Sequence, residues 1–331
     1  MVDAVAYEAI RRTAAVYRRG VRFTEVTGAQ RGELLTYALA KSTEYAQPGA
    51  AVESLALDEA GRPIDFVMVL FEEDRMVIVS ETAAGLAAEL PGLAAELGLA
   101  DVSVSDLAGW AAVAAEGPKS WQVVADLIDD DIAGLTLNQI RPSVLPDGLG
   151  SGWLARVGMT AEYGYLWIGP ADAEAVLGLF AGRAEAVGGA PATPAALRRA
   201  ALEVNQPLFP EMYEGLSLRE AGAEWVAGAG RDDKFRGQPD DDPAPRSRGL
   251  VAVVSRGQDL PPAGAAVEAG GVKVGTVFLA AERVGQPDGF GLALLDAPFD
   301  VPGLDLEAAG TALRTVSRPA VDPLSWAEAI G

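Results

Sequence analysis

Apolar residues near the start of the chain follow first a helical and then a strand-like spacing. The helical spacing predicts a helix over residues 3–19, which ends with two arginines and Gly20. The segment VRFTEV then predicts a short strand, and TGAQRGELLTYAL predicts a second helix with Thr27 as its N-cap. The chain therefore mixes helices and strands from its first residues onward.

A meander of three strands is the clearest pattern that follows. The apolar runs AVESLAL, PIDFVMVLF and RMVIVS are separated only by the turn sequences DEAGR and EEDR. Connections this short join antiparallel strands. Next, ETAAGLAAELPGLAAELGL predicts a helix that is interrupted at Pro91, VSVSD and WAAVAAEG predict strands, and PKSWQVVADLI predicts a helix with Pro118 in its first turn.

The second half of the chain repeats this mixture and then changes character. LARVGMTAEYGYLWI predicts two strands around a glycine-containing turn, and two helices follow, the second with Thr193 as its cap. Residues 236–249 are rich in Pro, Asp and Arg without any period, which predicts a linker or exposed loop. The short strands after it, with glycine turns between them, predict a small β domain that begins near Gly249.

Composition narrows the chemistry that the chain can perform. Its 331 residues, half of them hydrophobic, predict two or three domains. The sequence contains neither cysteine nor histidine, which excludes imidazole bases, thiolate nucleophiles, disulfides and His or Cys zinc sites. Any catalytic acid or base must then be Asp, Glu, Lys or Tyr, and a cofactor that brings its own chemistry is favoured.

The charge and the terminal sequence indicate where the protein works. The formal net charge of -21 disfavours binding to nucleic acid or to anionic membranes. The N-terminal sequence MVDAVAYEAIRR lacks the apolar core of a secretion signal, and no uncharged apolar run reaches transmembrane length. We therefore expect a cytoplasmic protein with no nucleic-acid or membrane partner.

Two isolated acids are the strongest candidates for a functional site. Asp65 opens the apolar run FVMVLF, and it either closes a turn after Pro63 or serves as a buried functional carboxylate. Glu162 lies near Tyr165 in an aromatic stretch, where it either binds the N–H groups of a flat heterocycle or is an ordinary turn acid. The acidic triplet at residues 129–131 is typical of a solvated helix end, so no metal site is predicted.

Seven blocks of the sequence, in order, resemble those of the aminomethyltransferase family, which comprises the glycine-cleavage T-protein and its tetrahydrofolate-dependent relatives. The block LDEAGRPIDFVMVLFEEDRMVIV is similar to the family's N-E-x-G-G-I-x-D-D-L-I-V hairpin, and RVGMTAEYGYLWIGPADAEAVL is similar to its R-T-G-Y-T-G-E-D-G-F-E-I block. The other five blocks are FTEVTGAQRGELL, EGPKSWQVVADL, ALEVNQPLFPEM, DDKFRG and PAGAAVEAGGVKVGTV. The likeness spans about residues 20–295, and the shared order argues against chance.

The resemblance implies an α+β fold with three domains in a ring around a central folate channel. Residues 1–243 would form two interleaved antiparallel α/β domains that bind folate. Residues 244–331 would form a C-terminal domain like a β-barrel.

The resemblance also implies roles for particular residues. Asp65 falls on the family's catalytic carboxylate, which stabilises cationic nitrogen or accepts the N5 proton. Glu162 falls on the Glu that holds the pterin ring, with Tyr165 in the same block, and Trp225 falls on a Trp near the folate pocket. Tetrahydrofolate is therefore the predicted cofactor.

Other positions depart from the family pattern. Phe66 replaces the second Asp of the D-D pair, and Glu81 stands where the family has Asn. Arg198 lies within two positions of the family's folate-binding Arg but out of register with it. The L-S-H-M-G entry motif and the aromatic C-terminal segment are missing as well. We keep Glu81 and Arg198 as candidate cofactor-binding residues, and we expect the losses to alter the substrate entrance and the site of the folate tail.

The predicted function is a tetrahydrofolate-dependent one-carbon transferase. We expect a specialised paralogue of the T-protein, a demethylase or methyltransferase, that takes a methyl or aminomethyl group from a small molecule; a lipoyl carrier protein is a less favoured donor. One alternative is a non-catalytic folate-binding protein, although the family's iron–sulfur assembly branch carries a cysteine motif that this chain lacks. A second alternative is a folate-independent enzyme on the same fold, for which the displaced arginine is the argument.

Overall fold

Two mainly antiparallel sheets and a closed barrel make up the computed structural model, which describes residues 2–228, 231–238 and 246–330. The helices are α1 (Val2–Arg12), α2 (Arg31–Ala38), α3 (Gly85–Glu96), α4 (Ser120–Val124), α5 (Ala173–Ala186) and α6 (Pro194–Glu203). The strands are β1 (Ala15–Arg18), β2 (Arg22–Thr27), β3 (Ala51–Leu57), β4 (Pro63–Phe71), β5 (Arg75–Ser80), β6 (Ser103–Asp106), β7 (Trp110–Glu116), β8 (Ile140–Val144), β9 (Ser151–Ala155), β10 (Gly164–Pro170), β11 (Ala190–Pro191), β12 (Arg248–Ser255), β13 (Ala266–Ala269), β14 (Val272–Ala281), β15 (Gly289–Asp296), β16 (Asp305–Ala308) and β17 (Thr311–Val316). Short 3₁₀ turns lie at Ala125–Leu127, Ile132–Gly134, Pro146–Gly148 and Leu324–Trp326.

The chain crosses between the first two sheets, so their domains interleave. The first sheet has the order β3-β4-β5-β2-β6, and the second has the order β11-β1-β7-β10-β9-β8. Strand β1 joins the second sheet before the chain builds the first one, and its pairing with β11 is parallel. The predicted meander of β3, β4 and β5 is confirmed as an antiparallel set.

The two sheets pack face to face, and helices cover their outer faces. The core between the sheets contains Met68 and Leu70 of β4 together with Leu166 and Ile168 of β10. Helices α2 and α3 pack on the outer face of the first sheet, and α4 and α5 pack on the outer face of the second. This layering follows from strands whose alternate residues bury apolar side chains on both faces.

The C-terminal strands close into a six-stranded barrel with the order β12-β15-β14-β13-β16-β17. One core fills the barrel, and another joins its outer face to Phe66 and to residues of the segment 212–235. The predicted three-domain α+β fold of the T-protein type is thereby confirmed. The predicted division at residues 243 and 244 lies outside the described residues, as does most of the predicted linker at 236–249.

The predicted helix over residues 3–19 is wrong in its second half. Helix α1 ends at Arg12, and residues 15–18 form β1, which pairs with β7 through Tyr17 and its neighbours. The apolar run Ala14 to Tyr17 fits a strand that is buried on both faces, and pairing with β7 satisfies its backbone groups. Thr27 is likewise the last residue of β2, and Gln30 stands at the N-cap of α2 without a side-chain bond.

Both prolines that were assigned to helices sit differently from the prediction. Helix α3 continues through Pro91, because Leu86, Leu90 and Leu93 hold one face of it against the core. Pro118 precedes α4, whose N-cap is Lys119. The predicted cap of α6 is confirmed, since Thr193 accepts the N–H of Ala196 at 3.3 Å.

A final segment leaves the barrel after β17 and returns to the second sheet. Residues 320–330, here called the C-terminal strap, begin where the N–H of Ala320 bonds to the carbonyl of Glu203 at 2.7 Å. Ile330 packs beside the core that lies under α4 and α5. The strap therefore ties the C-terminus to the part of the chain that carries Glu162.

Candidate functional site

Asp65 lies fully buried at the start of β4, beneath the first turn of α3. Its Oδ2 atom accepts the N–H of Leu86 at 3.1 Å, at a helix end where backbone donors lack partners within the helix. Within the described part of the chain, Oδ1 meets no hydrogen-bond donor in good geometry, and neither do the nearby hydroxyls of Ser80 and Thr82 meet a partner. The carboxylate is therefore only partly satisfied.

Burial changes the acidity of this carboxylate. It raises the pKa of Asp65 from its ordinary value of 3.8 to about 6, because the charged form loses its hydration. The N–H of Leu86 and the hydroxyls of Ser80 and Thr82 oppose that rise. Asp65 can thus exchange a proton near neutral pH, which is what a general base requires.

The close approach of α3 to Asp65 depends on Gly85. This residue has a φ of +36°, and a Cβ atom there would lie 2.2 Å from Oδ2 of Asp65 and 2.1 Å from the hydroxyl oxygen of Thr82. A side chain at this position would have to displace the helix end or the carboxylate. Glycine is therefore required for the packing around Asp65.

We expect Gly85→Ala to lower the free energy of unfolding by about 1–3 kcal/mol, through backbone strain and overpacking. The matched control is Gly92→Ala in the same helix, where an added Cβ meets no atom within 4 Å. This control is expected to raise stability by about 0.5–1 kcal/mol, because alanine favours a helix interior. Urea unfolding of the two variants and the parent measures both changes; equal effects would contradict the close packing at Gly85.

The alternation of β4 decides which way Asp65 points. Asp65 lies opposite Ala56, and Ala56, Val67 and Val69 all belong to the core under α2 and α3. Phe66 points the other way, into the core that joins the first sheet to the barrel. Asp65 therefore faces helix α3, and the face of the strand that looks toward the other domains carries phenylalanine.

A buried cation accompanies Glu81 between the two sheets. Arg19 donates to Glu81 at 3.0 Å and to Glu53 at 2.7 Å, and its side chain is almost entirely buried. Burial alone would lower the pKa of Arg19, but the two carboxylates raise it above its usual value. The N–H of Glu81 also bonds to the carbonyl of Phe66 at 3.2 Å, so this cluster lies directly beside the start of β4.

A second buried acid, Glu116, stands at the end of β7. It accepts the Tyr17 hydroxyl, the N–H groups of Met159 and Thr160, and the Thr160 hydroxyl, the last at 2.6 Å. Burial raises the pKa of Glu116, while these donors and the charge of Arg19 act against the rise. The acid is thus well satisfied and fixes the loop that leads to Glu162.

Glu162 belongs to a third charged group, together with Glu203 and two arginines. Arg11 lies 3.7 Å from Glu162 and 3.0 Å from Glu203, and Arg199 donates to Glu203 at 2.6 Å. The hydroxyl of Tyr7 also donates to Glu203, at 2.7 Å. Arg11 further bonds to the carbonyl of Thr160 at 2.7 Å, which connects this group to the loop held by Glu116.

The C-terminal strap occupies both oxygens of Glu162. Oε2 accepts the N–H of Ser325 at 3.0 Å and its hydroxyl at 2.6 Å, and Oε1 accepts the N–H of Leu324 at 3.3 Å. The side chain of Glu162 is only 1% exposed. In this conformation the carboxylate holds a segment of its own chain.

The remaining predicted residues lie apart from Glu162. Tyr165 points into the core under α4 and α5, where burial raises its pKa to about 12. Arg198 forms an ion pair with Glu211 at 2.9 Å, and Trp225 is 56% exposed. The structure therefore brings Glu81 next to the strand of Asp65, but it places Tyr165, Arg198 and Trp225 in settings of their own. Their roles in cofactor binding stay predictions.

Several charged residues of this region escaped the sequence analysis. Glu116 carries the same signal as Asp65, an acid at one end of an apolar strand, and could have been found by it. Arg19 was hidden by the wrong helical assignment of residues 3–19. Arg11 and Glu203 carry no local signal, because their partners lie 192 positions apart in the chain.

A cavity of about 870 Å³ opens elsewhere, where the start of β3 meets the loops before β3 and β8. Its walls include Lys41, Tyr45, Asn138 and Arg231, and none of the predicted site residues. Within residues 2–228, 231–238 and 246–330, no three acids cluster closely enough to hold a metal ion. Over the same ranges, no helix is both long and apolar enough to cross a bilayer.

The fold and the buried acids are those of a chain built like an aminomethyltransferase. The solved glycine cleavage system aminomethyltransferase T from Bartonella henselae superposes with a TM-score of 0.79 at 20% identity, over 97% of this chain and 90% of that one. The family described as GCVT N-terminal domain matches residues 6–229. The chain therefore belongs to the aminomethyltransferase family of the glycine-cleavage T-protein.

Relatives in this family are similar over most of their length. An aminomethyltransferase of Streptomyces coelicolor is 29% identical over 310 residues, which is 89% of this chain and 80% of the relative. An aminomethyltransferase of Saccharopolyspora erythraea is 28% identical over 331 aligned residues, covering 94% of this chain and 87% of the relative.

The arrangement of Glu162 does not accommodate the pterin ring of tetrahydrofolate in this conformation. A pterin would need both carboxylate oxygens, and donors of the strap already hold them. The hydroxyl of Tyr165 is enclosed in a core and cannot reach a ligand without rearrangement. The chemistry of Glu162 suits a ligand with N–H donors, whereas the space beside it is filled.

Proposed function

We propose that the chain transfers a one-carbon group, methyl or aminomethyl, from a small molecule to tetrahydrofolate. Family membership and relatives that carry the name aminomethyltransferase over most of this chain support this proposal. The departures at Phe66 and in the C-terminal segment favour a specialised donor over the glycine-cleavage reaction. A small donor then replaces a lipoyl carrier protein, and the reaction takes place in the cytoplasm.

The single observation that best supports a chemical role is the state of Asp65. A buried carboxylate with one oxygen free of partners and a pKa of about 6 can accept a proton at neutral pH. No other acid in the described residues combines complete burial with an unpartnered oxygen. In this proposal Asp65 is the proton acceptor, and Glu162 is the group that orients the acceptor substrate.

A second candidate function rests on two observations. Glu162 is already saturated by the strap, and Asp65 faces α3 instead of the junction of the domains. Both are what a member of the family that does not use folate would show, either an enzyme acting on another substrate or a protein that only binds. Binding of reduced folate separates this candidate from the first.

We expect the parent chain to bind tetrahydrofolate in calorimetry and Glu162→Gln to bind it more weakly by about 2 kcal/mol or more, as for one partner of a buried charged pair. Gln keeps the shape but presents an amide donor to a ligand that also donates. The matched control is Glu174→Gln, an exposed acid on α5, which should bind as the parent does. Absence of binding by the parent and by a chain that lacks the strap would reject the folate-dependent function.

A further inference from the structure

The strap satisfies Glu162 in the way that a ligand would. Two N–H groups and one O–H group approach the two carboxylate oxygens, at distances of 3.3, 3.0 and 2.6 Å. A flat heterocycle with an amino group beside a ring N–H offers a carboxylate the same pair of parallel donors. The strap thus supplies donors of the kind that a free ligand would bring.

Polar contacts, more than apolar ones, hold the strap in place. Its two largest apolar side chains near Glu162, Leu324 and Trp326, remain 41% and 65% exposed. The N–H of Tyr163 bonds to the Ser325 hydroxyl at 2.8 Å, and the Tyr163 hydroxyl bonds to the carbonyl of Glu328. A ligand with matching donors would exchange one hydrogen bond for another at Glu162 and would forfeit little buried apolar area.

The residue at the root of the strap is poorly satisfied. Among the described residues, none accepts a hydrogen bond from the buried Nη1 atom of Arg318. Burial lowers the pKa of Arg318 to about 10, and the nearby Tyr213 only partly opposes this change. An unpartnered cation at its root raises the free energy of the closed strap and favours exchange.

We propose that the C-terminal strap is an internal competitor for the site at Glu162, so that a ligand with a paired N–H edge binds there only when residues 320–330 have moved away. This inference rests on the proposed function for the identity of that ligand. The domains themselves need not open, because Glu162 keeps Arg11 as its ionic partner when the strap leaves. The strap would thereby set the apparent affinity of the chain for its ligand.

The test compares four full-length or shortened chains. One chain ends at Pro319, and Ser325→Pro keeps the full length but removes both donors of that residue. Asp322→Asn, an exposed position of the strap, is the matched control. The probes are tetrahydrofolate and the isolated 2-amino-4-oxopteridine ring, titrated by calorimetry after thermal melting has shown that each chain is folded.

We expect the shortened chain and Ser325→Pro to bind tetrahydrofolate about 10- to 100-fold more tightly than the parent, since apparent affinity scales with the competent fraction. The control should bind as the parent does. Hydrogen exchange at the amides of Leu324 and Ser325 in the parent should become faster when tetrahydrofolate is added, because the ligand takes their acceptor.

Each other result decides a different point. Equal affinities for parent and shortened chain, with strap amides that stay protected, would overturn the competition. If the shortened chain binds the pteridine ring more tightly than the parent and neither binds tetrahydrofolate, the strap acts as proposed and the folate-dependent function fails. If no chain binds either probe, both proposals fail. Should the shortened chain be unfolded, Ser325→Pro carries the comparison.

Discussion

Replacing Asp65 by Asn is expected to slow one-carbon transfer by about 10²–10³-fold, the usual loss when one preorganised electrostatic group is removed. The amide keeps the volume and can still accept the N–H of Leu86, but it cannot accept a proton. Single-turnover transfer to tetrahydrofolate, from whichever methyl or aminomethyl donor supports turnover in the parent, measures the effect. Binding of tetrahydrofolate should change much less, since the charge develops only during the reaction.

The same substitution should change how stability depends on pH. The pKa of Asp65 is about 6 in the folded chain and about 3.9 when unfolded, so the folded state holds the proton more tightly. The parent's free energy of unfolding therefore falls as pH rises from about 4 to about 6, by at most about 3 kcal/mol from this group, and then levels off. Asp65→Asn lacks this fall, and thermal melts at pH 4.5 and pH 7 compare the two chains.

Asp130→Asn serves as the control, because this acid lies exposed beside Arg141. It should match the parent in transfer rate and in pH dependence. If Asp65→Asn also transfers at the parent's rate, Asp65 is an acid that only caps α3, a role that its bond to Leu86 and its orientation would explain. A melting curve for each variant must first show that it is folded.

Replacing Glu203 by Gln is expected to lower the free energy of unfolding by about 3–5 kcal/mol, because it leaves buried cations without their anion. Glu203 accepts from Tyr7, Arg11 and Arg199, and its own side chain is almost entirely buried. Only Glu162, 3.7 Å from Arg11, would remain to offset the two positive charges. Urea unfolding followed by circular dichroism measures the loss.

Glu211→Gln provides the comparison for this second prediction. Glu211 pairs with Arg198 on the surface, and such exposed pairs contribute about 0–1 kcal/mol. A loss below about 1 kcal/mol for Glu203→Gln as well would show that the buried cluster does not hold α1 and α6 together. Salt should weaken the surface pair and leave the buried one largely unchanged.

Asp65 illustrates how far the site could be predicted from sequence. An acid at the start of an apolar strand was recognised as unusual, and the structure shows it buried and partly unsatisfied. Its direction could not be predicted, because a shift of one residue in a strand turns a side chain to the other face. Pairing with Ala56 placed Asp65 under α3 and left Phe66 facing the junction of the domains.

The sequence by itself determined features that depend on a few neighbouring residues. These include the meander of β3, β4 and β5, the cap of α6 at Thr193, and the exclusion of histidine and cysteine chemistry. Its ordered blocks also indicated the family and with it the three-domain fold. Backbone geometry sets such periodicities and caps locally, so they can be read from the order of residues.

Only the tertiary structure decided which distant residues share a charge or a proton. Tyr17 and Glu116 meet across 99 positions, and Ser325 reaches Glu162 across 163 positions. The burial of a charge far from its partner in sequence carries no local period, and the cost of leaving it unpaired appears only when the chain is packed. For this reason the sequence marked Glu162 as a binding residue, while the fold determined that its own C-terminal strap is what it binds.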